Sequence, residues 1–182
     1  MRKYYLFFFL LFFSTESSAS IKNDIIQNLN KINSISFNFE QNINDKIETG
    51  RCTIKYPKKI YCKYNQSNKK ILVSNGKSLV IKTITSYYIY PLKKTPLEFI
   101  LDKEFIINKI NNISDYYSDE KFVSFKFYED NNEINLFFSK NNLNLIGWQT
   151  IDIYQNLSIT YLSSVRINNE VKEKLFNLPD QN

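Results

Sequence analysis

The sequence has no histidine, only two cysteines, three glycines and four prolines. Without histidine the chain lacks the usual acid–base group near neutral pH and the commonest metal ligand. Ser-His-Asp and Cys-His nucleophilic arrangements are thereby excluded. Carboxylates and thiols at the tight spacing of a metal site are absent, so neither a metal nor a cofactor is expected. Three glycines leave no glycine-rich phosphate loop, and they argue against a collagen-like or disordered chain. Acidic pairs such as Asp119-Glu120 and Glu129-Asp130 fall at turn-like positions and read as solvated loop charges. With no seat for catalysis, a binding protein is expected rather than an enzyme.

What is present is apolar and aromatic. Of 182 residues, 43% are hydrophobic and 16% aromatic, enough to build a core. The length suggests one domain. The net charge is +6, but the lysines are spread along the presumed outer faces of strands. Neither a basic cluster nor a nucleic-acid motif stands out, so nucleic acid is not an expected partner.

Met1 to Ser20 has the layout of a secretory leader. Arg2 and Lys3 are followed by the apolar run Tyr4–Phe13 and then by small residues Ser17-Ser18-Ala19. The run is half the length of a membrane span, about 20 apolar residues. Residues 1–19 are therefore read as a cleaved signal peptide, with a short uncleaved anchor the alternative, and 20–182 as one exported domain. No cysteine lies near the cleavage point, so the mature chain is not expected to be lipid-anchored itself.

Ile21, Ile25, Leu29 and Ile32 recur at helical spacing, with Ser20 as a candidate cap. From Ile35 the period becomes two. Ile35, Phe37 and Phe39 share a face. In the stretch 50–65, Cys52, Ile54 and Tyr56 precede a turn at Pro57-Lys58-Lys59, and Ile60, Cys62 and Tyr64 follow it. Asn75-Gly76 between apolar runs signals a second hairpin, and Ser86–Tyr90 a further strand. The strands are then interrupted. Thr95 and Pro96 suit a helix start; Leu97, Ile100 and Leu101 form a short apolar face. Asp102 is placed to cap a second helix, Lys103–Ile110, carrying Phe105 and Ile106. Strands resume with Val123, Phe125 and Phe127, then Ile134, Leu136 and Phe138, then Leu143–Ile153 with a bulge or bend at Gly147, then Leu157–Ile167. The whole is predicted to be mainly β, an open or barrel-like antiparallel sheet with about three short helices.

Cys52 and Cys62 stand almost opposite each other across their turn, on one face. An exported protein meets an oxidising compartment, so a structural disulfide is expected, with free buried thiols the alternative. Three short helices offer little cover for so large an apolar face. The candidates for that face are Phe37, Phe39, Ile54, Tyr56, Ile60, Tyr64, Phe125, Phe127, Leu136, Phe138 and Trp148. Periodicity alone does not decide whether they fill a core or line a hollow. The two middle helices (Pro96, Leu97, Ile100, Leu101, Phe105, Ile106) read either as a plug or as a movable lid.

The order of features resembles the LolA family of periplasmic lipoprotein carriers. The match runs from a leading helix through Phe37-x-Phe39-x-Gln41, Gly50, Tyr56-Pro57-x-x-Ile60 with Tyr64, and Val73-Ser74-Asn75-Gly76-Lys77. It continues with Tyr90-Pro91-Leu92, Thr95-Pro96-Leu97 to Leu101, Leu145-Ile146-Gly147-Trp148, Asp152 and Leu175-Phe176, covering roughly residues 21–178. The resemblance implies an unclosed β-barrel with a helical lid and a cavity for the acyl chains of lipoproteins. It implies a monomer in the periplasm, loaded by an inner-membrane ABC transporter of the LolCDE type and delivering to an outer-membrane LolB-type receptor where one exists. One position departs from the pattern: the family commonly has Arg, linked to lid closure or cargo handover, where this chain has Tyr56. The rival expectations are an exported binder of another lipid on the same architecture, and an adaptor with a filled interior.

Overall fold

A computed structural model describes residues 21–151 and 155–181. The expected leader, the Ser20 cap and Asp152–Ile153 lie outside the described residues. The described residues begin with helix α1 (Ile21–Lys31), whose Ile25 and Leu29 are buried. Six strands follow: β1 (Ser34–Ile43), β2 (Lys46–Lys55), β3 (Lys59–Tyr64), β4 (Ile71–Asn75), β5 (Ser78–Lys82) and β6 (Tyr87–Pro91). Helices α2 (Leu97–Ile100) and α3 (Lys103–Asn112) interrupt them. Strands β7 (Tyr117–Ser118), β8 (Phe122–Glu129), β9 (Asn132–Ser139), β10 (Leu145–Ile151) and β11 (Leu157–Ile167) complete the fold.

All eleven strands form one antiparallel sheet in the order β6-β5-β4-β3-β2-β1-β11-β10-β9-β8-β7. The two ends of that order do not pair, so the barrel stays unclosed. Sequence neighbours pair, except β6 and β7, which flank the middle helices and form the two free ends; β1 also pairs with β11, joining the two halves of the chain. Alternation sorts side chains as expected. On β1 Ile35, Phe37 and Phe39 are buried; on β8 Val123, Phe125 and Phe127; on β9 Ile134, Leu136 and Phe138. The expected bulge is present: the β9–β10 register shifts between Leu145 and Gly147.

Gly50 serves close packing. A Cβ there would stand 2.3 Å from the Lys63 carbonyl oxygen and 2.7 Å from Cε1 of Phe39. In the Asn75-Gly76 turn, Gly76 takes φ +96. The Asn75 side chain there accepts hydrogen bonds from the Lys77 and Ser78 amides.

Three details differ from the sequence reading. Thr95 does not cap α2 with its side chain; the hydroxyl donates back to the Leu92 carbonyl at 2.8 Å, because a 3-10 turn (Leu92–Lys94) precedes it. Helix α3 runs to Asn112, two residues beyond Ile110, and Asp102 does cap it by accepting from the Phe105 amide. The two-residue β7 is too short to show any period.

Helices α1 and α3 pack on the inner face of the sheet. Phe105 of α3 meets Phe127 of β8 edge-on at 5.8 Å, and Asn28 of α1 donates to the Leu143 carbonyl beyond β9. The last segment crosses the outer face, where Phe176 is buried and Glu173 pairs with Lys55 and Lys59.

Candidate functional site

The sheet is filled on one side and hollow on the other. Under α1 and α3, strands β8–β10 present Phe125, Leu136 and Phe138, all with no solvent exposure. Between β1–β6, the adjoining parts of β11 and β10, and α2 there is instead a cavity of about 320 Å³. That volume lies at the lower end of the range for small-molecule sites, about 300–1,000 Å³.

Four of the eleven expected cavity residues line it: Phe39, Ile60, Tyr64 and Trp148. The other seven do not. Phe37, Ile54, Phe125, Phe127, Leu136 and Phe138 belong to the packed core, with Phe37 against Trp148 and Phe125 against Phe138. Period two shows which face a residue takes but not where along the sheet the helices sit, and the helices decide what is filled. Tyr56 also packs against the core. Its hydroxyl is shut away from solvent with no partner among the described residues, and burial pushes its pKa well above the usual phenol value.

Cys52 and Cys62, directly opposed in the β2–β3 register, form a disulfide whose residues are part of the cavity wall. Ile43, Leu72, Leu79, Ile81, Tyr88 and Tyr90 add to the apolar lining. The sequence reading missed these six. The Asn75-Gly76 hairpin contained the signal, since its alternation puts Leu79 and Ile81 on one face.

The cavity has two unlike ends. Near α2 it is bounded by Ile60, Leu79, Pro96 and Leu97. At the other end stand Gln41, Lys70, Thr150, Ser158 and Thr160. There the Gln41 amide donates to the hydroxyls of Ser158 (3.0 Å) and Thr160 (3.2 Å). Lys70 Nζ lies 4.1 Å from the centroid of the Tyr64 ring and 2.5 Å from Oε2 of buried Glu48. Burial first, and the Glu48 charge second, push the Tyr64 phenol up.

Of the expected lid residues, only Pro96 and Leu97 face the cavity. Ile100, Leu101 and Ile106 are fully buried, and Phe105 is held between Phe99, tilted against it, and Phe127, edge-on to it. The segment is fastened by a residue the sequence reading passed over. Lys58, in the β2–β3 turn with φ +65, reaches Glu98 Oε1 at 2.5 Å and Asp102 Oδ2 at 3.3 Å. Its backbone amide donates to the Leu101 carbonyl at 2.7 Å. The hydrogen bond that the ammonium donates to Glu98, together with the one to Asp102, holds the Lys58 pKa above its ordinary value against a smaller effect of burial. A wider groove of about 720 Å³ on the outer face is roofed by the last segment and lined by Lys172 and Lys174; it lacks the enclosed apolar wall of the inner cavity.

The family model for "Outer membrane lipoprotein carrier protein LolA" matches residues 30–179. The chain belongs to the LolA family. Among solved structures, the fold is shared with an uncharacterized conserved protein of Thermus thermophilus, at 7% identity and TM-score 0.52, over 88% of this chain and 93% of that one. Weaker likenesses include a LolA superfamily protein of Nitrosomonas europaea (9% identity, TM-score 0.42, 88% and 99% covered) and the lipoprotein LppX of Mycobacterium tuberculosis (6% identity, TM-score 0.44, 83% and 96% covered). No curated protein matches the chain in sequence. The unclosed sheet with three helices is the LolA-like architecture. The family description is that of a carrier of lipoproteins. No helix among the described residues is long and apolar enough to cross a membrane.

Proposed function

We propose that this protein is a periplasmic carrier that takes up the acyl chains of lipoproteins released from the inner membrane and moves them to the outer membrane. Residues 1–19 direct export and are removed. Loading is by an inner-membrane transporter of the LolCDE type, with handover to a LolB-type receptor where one is present. The observation that carries this reading is the apolar cavity between the sheet and α2, in a chain of the LolA family.

The two ends of the cavity suit an amphiphile. Acyl chains occupy the end near Leu97, and the ester or amide linkages face Gln41, Thr150 and Ser158. Each buried methylene contributes about 0.8 kcal/mol, so about ten of them give ~8 kcal/mol, which corresponds to a dissociation constant on the order of 1 μM. That is tight enough to carry a lipid through water and weak enough to release it.

Magnitudes also limit the lid. Swinging out the whole of residues 95–110 would expose Phe99, Ile100, Leu101, Ile106 and Ile110. At about 1.5–3 kcal/mol each that costs ~8–15 kcal/mol, comparable to the whole stability of a domain. The moving part is therefore the short Thr95–Ile100 segment, which Lys58 latches to the β2–β3 turn.

Spheroplasts synthesising a lipoprotein test the reading. Adding this protein is expected to release lipoprotein into the supernatant as a soluble complex. If lipoprotein stays on the membrane at saturating protein while mass spectrometry finds another lipid in the purified carrier, the cargo is that lipid and the lipoprotein reading fails.

A further inference from the structure

From Thr49 to Leu97 the chain has eleven lysines and arginines and not one aspartate or glutamate. This acid-free stretch includes most of β2 and all of β3–β6; acids from outside it pair with Lys55, Lys58, Lys59 and Lys70, and the basic excess that is left lies toward β5 and β6. This half of the sheet ends in β6, whose outer edge has no strand beside it. Three large apolar side chains stand out along this edge: Ile84 at 64% exposure, Ile89 at 56% and Tyr88 at 51%. Lysines bracket them. Lys77, Lys93 and Lys94 gather at one end, where the Leu92 amide donates to the Lys77 carbonyl; Lys69 lies at the other, where the Ile84 amide donates to the Asn68 carbonyl. These four lysines are exposed and have no ion-pair partner among the described residues. The cavity reaches the same edge, since Tyr88 and Tyr90 are part of its wall.

We infer that the β6 edge is a docking surface for an anionic lipid bilayer, on which the protein rests with its cavity opening toward the headgroups. Tyrosine and isoleucine among lysines is the composition of a membrane–water interface. A second copy is a poor occupant, because edge-to-edge pairing would set the Lys69, Lys77, Lys93 and Lys94 of one copy against those of the other. An added peptide strand is disfavoured by Pro91 and the flanking lysines, which blunt an edge against pairing. The inference does not require that the cargo be a lipoprotein, since a carrier of any membrane lipid has to meet a bilayer.

The test is flotation of protein purified from the periplasm with vesicles of equal parts phosphatidylethanolamine and phosphatidylglycerol, with no lipoprotein present. Binding is expected, and is lost on phosphatidylcholine vesicles or in high salt. Lys93→Ala and Lys94→Ala are each expected to weaken it about fivefold. Ile84→Ser with Ile89→Ser weakens it further without lowering the melting temperature, since both side chains are exposed and neither lines the cavity. Tyr161→Ser, an equally exposed apolar position on β11 away from this edge, leaves it unchanged. Absence of binding, binding indifferent to lipid charge, or an equal loss in Tyr161→Ser overturns the inference. The spheroplast assay is read separately, so release without vesicle binding would retire this surface and keep the carrier.

Discussion

Replacing Lys58 by alanine tests whether α2 is held shut by a latch. The ammonium bonds two carboxylates, and the pair is only partly exposed, at 31% for the Lys58 side chain and 19% for that of Glu98. A fully exposed pair contributes about 0.2–1 kcal/mol, and a charge-assisted hydrogen bond sheltered from water about 1.5–3 kcal/mol. Intermediate exposure places the loss at about 1–2 kcal/mol, a change of ~5–30-fold in the opening equilibrium. The bond from the Lys58 amide to Leu101 survives the substitution, and so does the Asp102 cap on α3. The loss should therefore stay local. Native-state hydrogen exchange reads it: the Leu101 amide, bonded to Leu97, and the Asp102 amide, bonded to Phe99, exchange faster by that factor, whereas amides of β1 and β2 do not. Binding of an apolar dye rises in parallel. Titration gives the same loss without mutation. Because the Lys58 pKa is raised on folding, its contribution is complete below the ordinary lysine value of 10.5 and disappears as pH climbs through the higher folded value. Dye binding by the wild type should rise in that alkaline range, and Lys58→Ala should lack the step. Unchanged exchange at Leu101 and Asp102, or acceleration spread evenly over the sheet, would refute the latch.

Other outcomes follow from the same geometry. Cys52→Ala with Cys62→Ala opens a loop of sequence separation 10 and should lower stability to urea unfolding by about 2.7 kcal/mol on the chain-entropy model; an unchanged midpoint would mean that packing alone holds the hairpin. Trp148, the single tryptophan, lines the cavity, so a brominated fatty acid should quench its fluorescence, and undiminished emission with the ligand bound would place that ligand elsewhere. Gly50→Ala should destabilise by about 1–3 kcal/mol, because the new methyl meets a backbone oxygen and the Phe39 ring; thermal unfolding reads the shift. Glu173, held at a pKa of about 2 by Lys55 and then Lys59, stabilises the docking of the last segment above the usual carboxylate pKa and loses that effect as pH falls from 4.5 toward 2. Limited proteolysis near residue 173 should therefore quicken over that acid range while the sheet stays resistant.

Most of the sheet was legible in the sequence because its strands alternate strictly and its turns use Asn-Gly, Asp-Asn-Asn and Pro-Lys-Lys. The disulfide could be read because the expected turn at 57–59 put Cys52 and Cys62 almost opposite on one face; in the fold the turn is 56–58, with Lys59 already in β3, which makes them direct partners. The extent of the hollow could not. Phe125 and Phe39 have the same pattern around them, yet one lies under α3 and the other beside empty space, and that difference is set by where two helices dock tens of residues away. Lys58 was hidden for a similar reason. In the sequence it is one of three residues in a turn, and its partners Glu98 and Asp102 lie some forty positions on, brought near only by the fold.

The pairing of β1 with β11 has a consequence for how the molecule is made. Ile35 and Ile167 are neighbours in space and lie at nearly opposite ends of the described residues. A chain threaded outward from its N-terminus can build the hairpins β1 to β6 early, but β1 keeps a bare flank until the final long strand arrives. Such distant pairing slows folding, and an unpaired flank invites sticking to other chains in the meantime. Premature arrest of synthesis anywhere before residue 157 should thus leave an aggregation-prone half-sheet rather than a smaller working one.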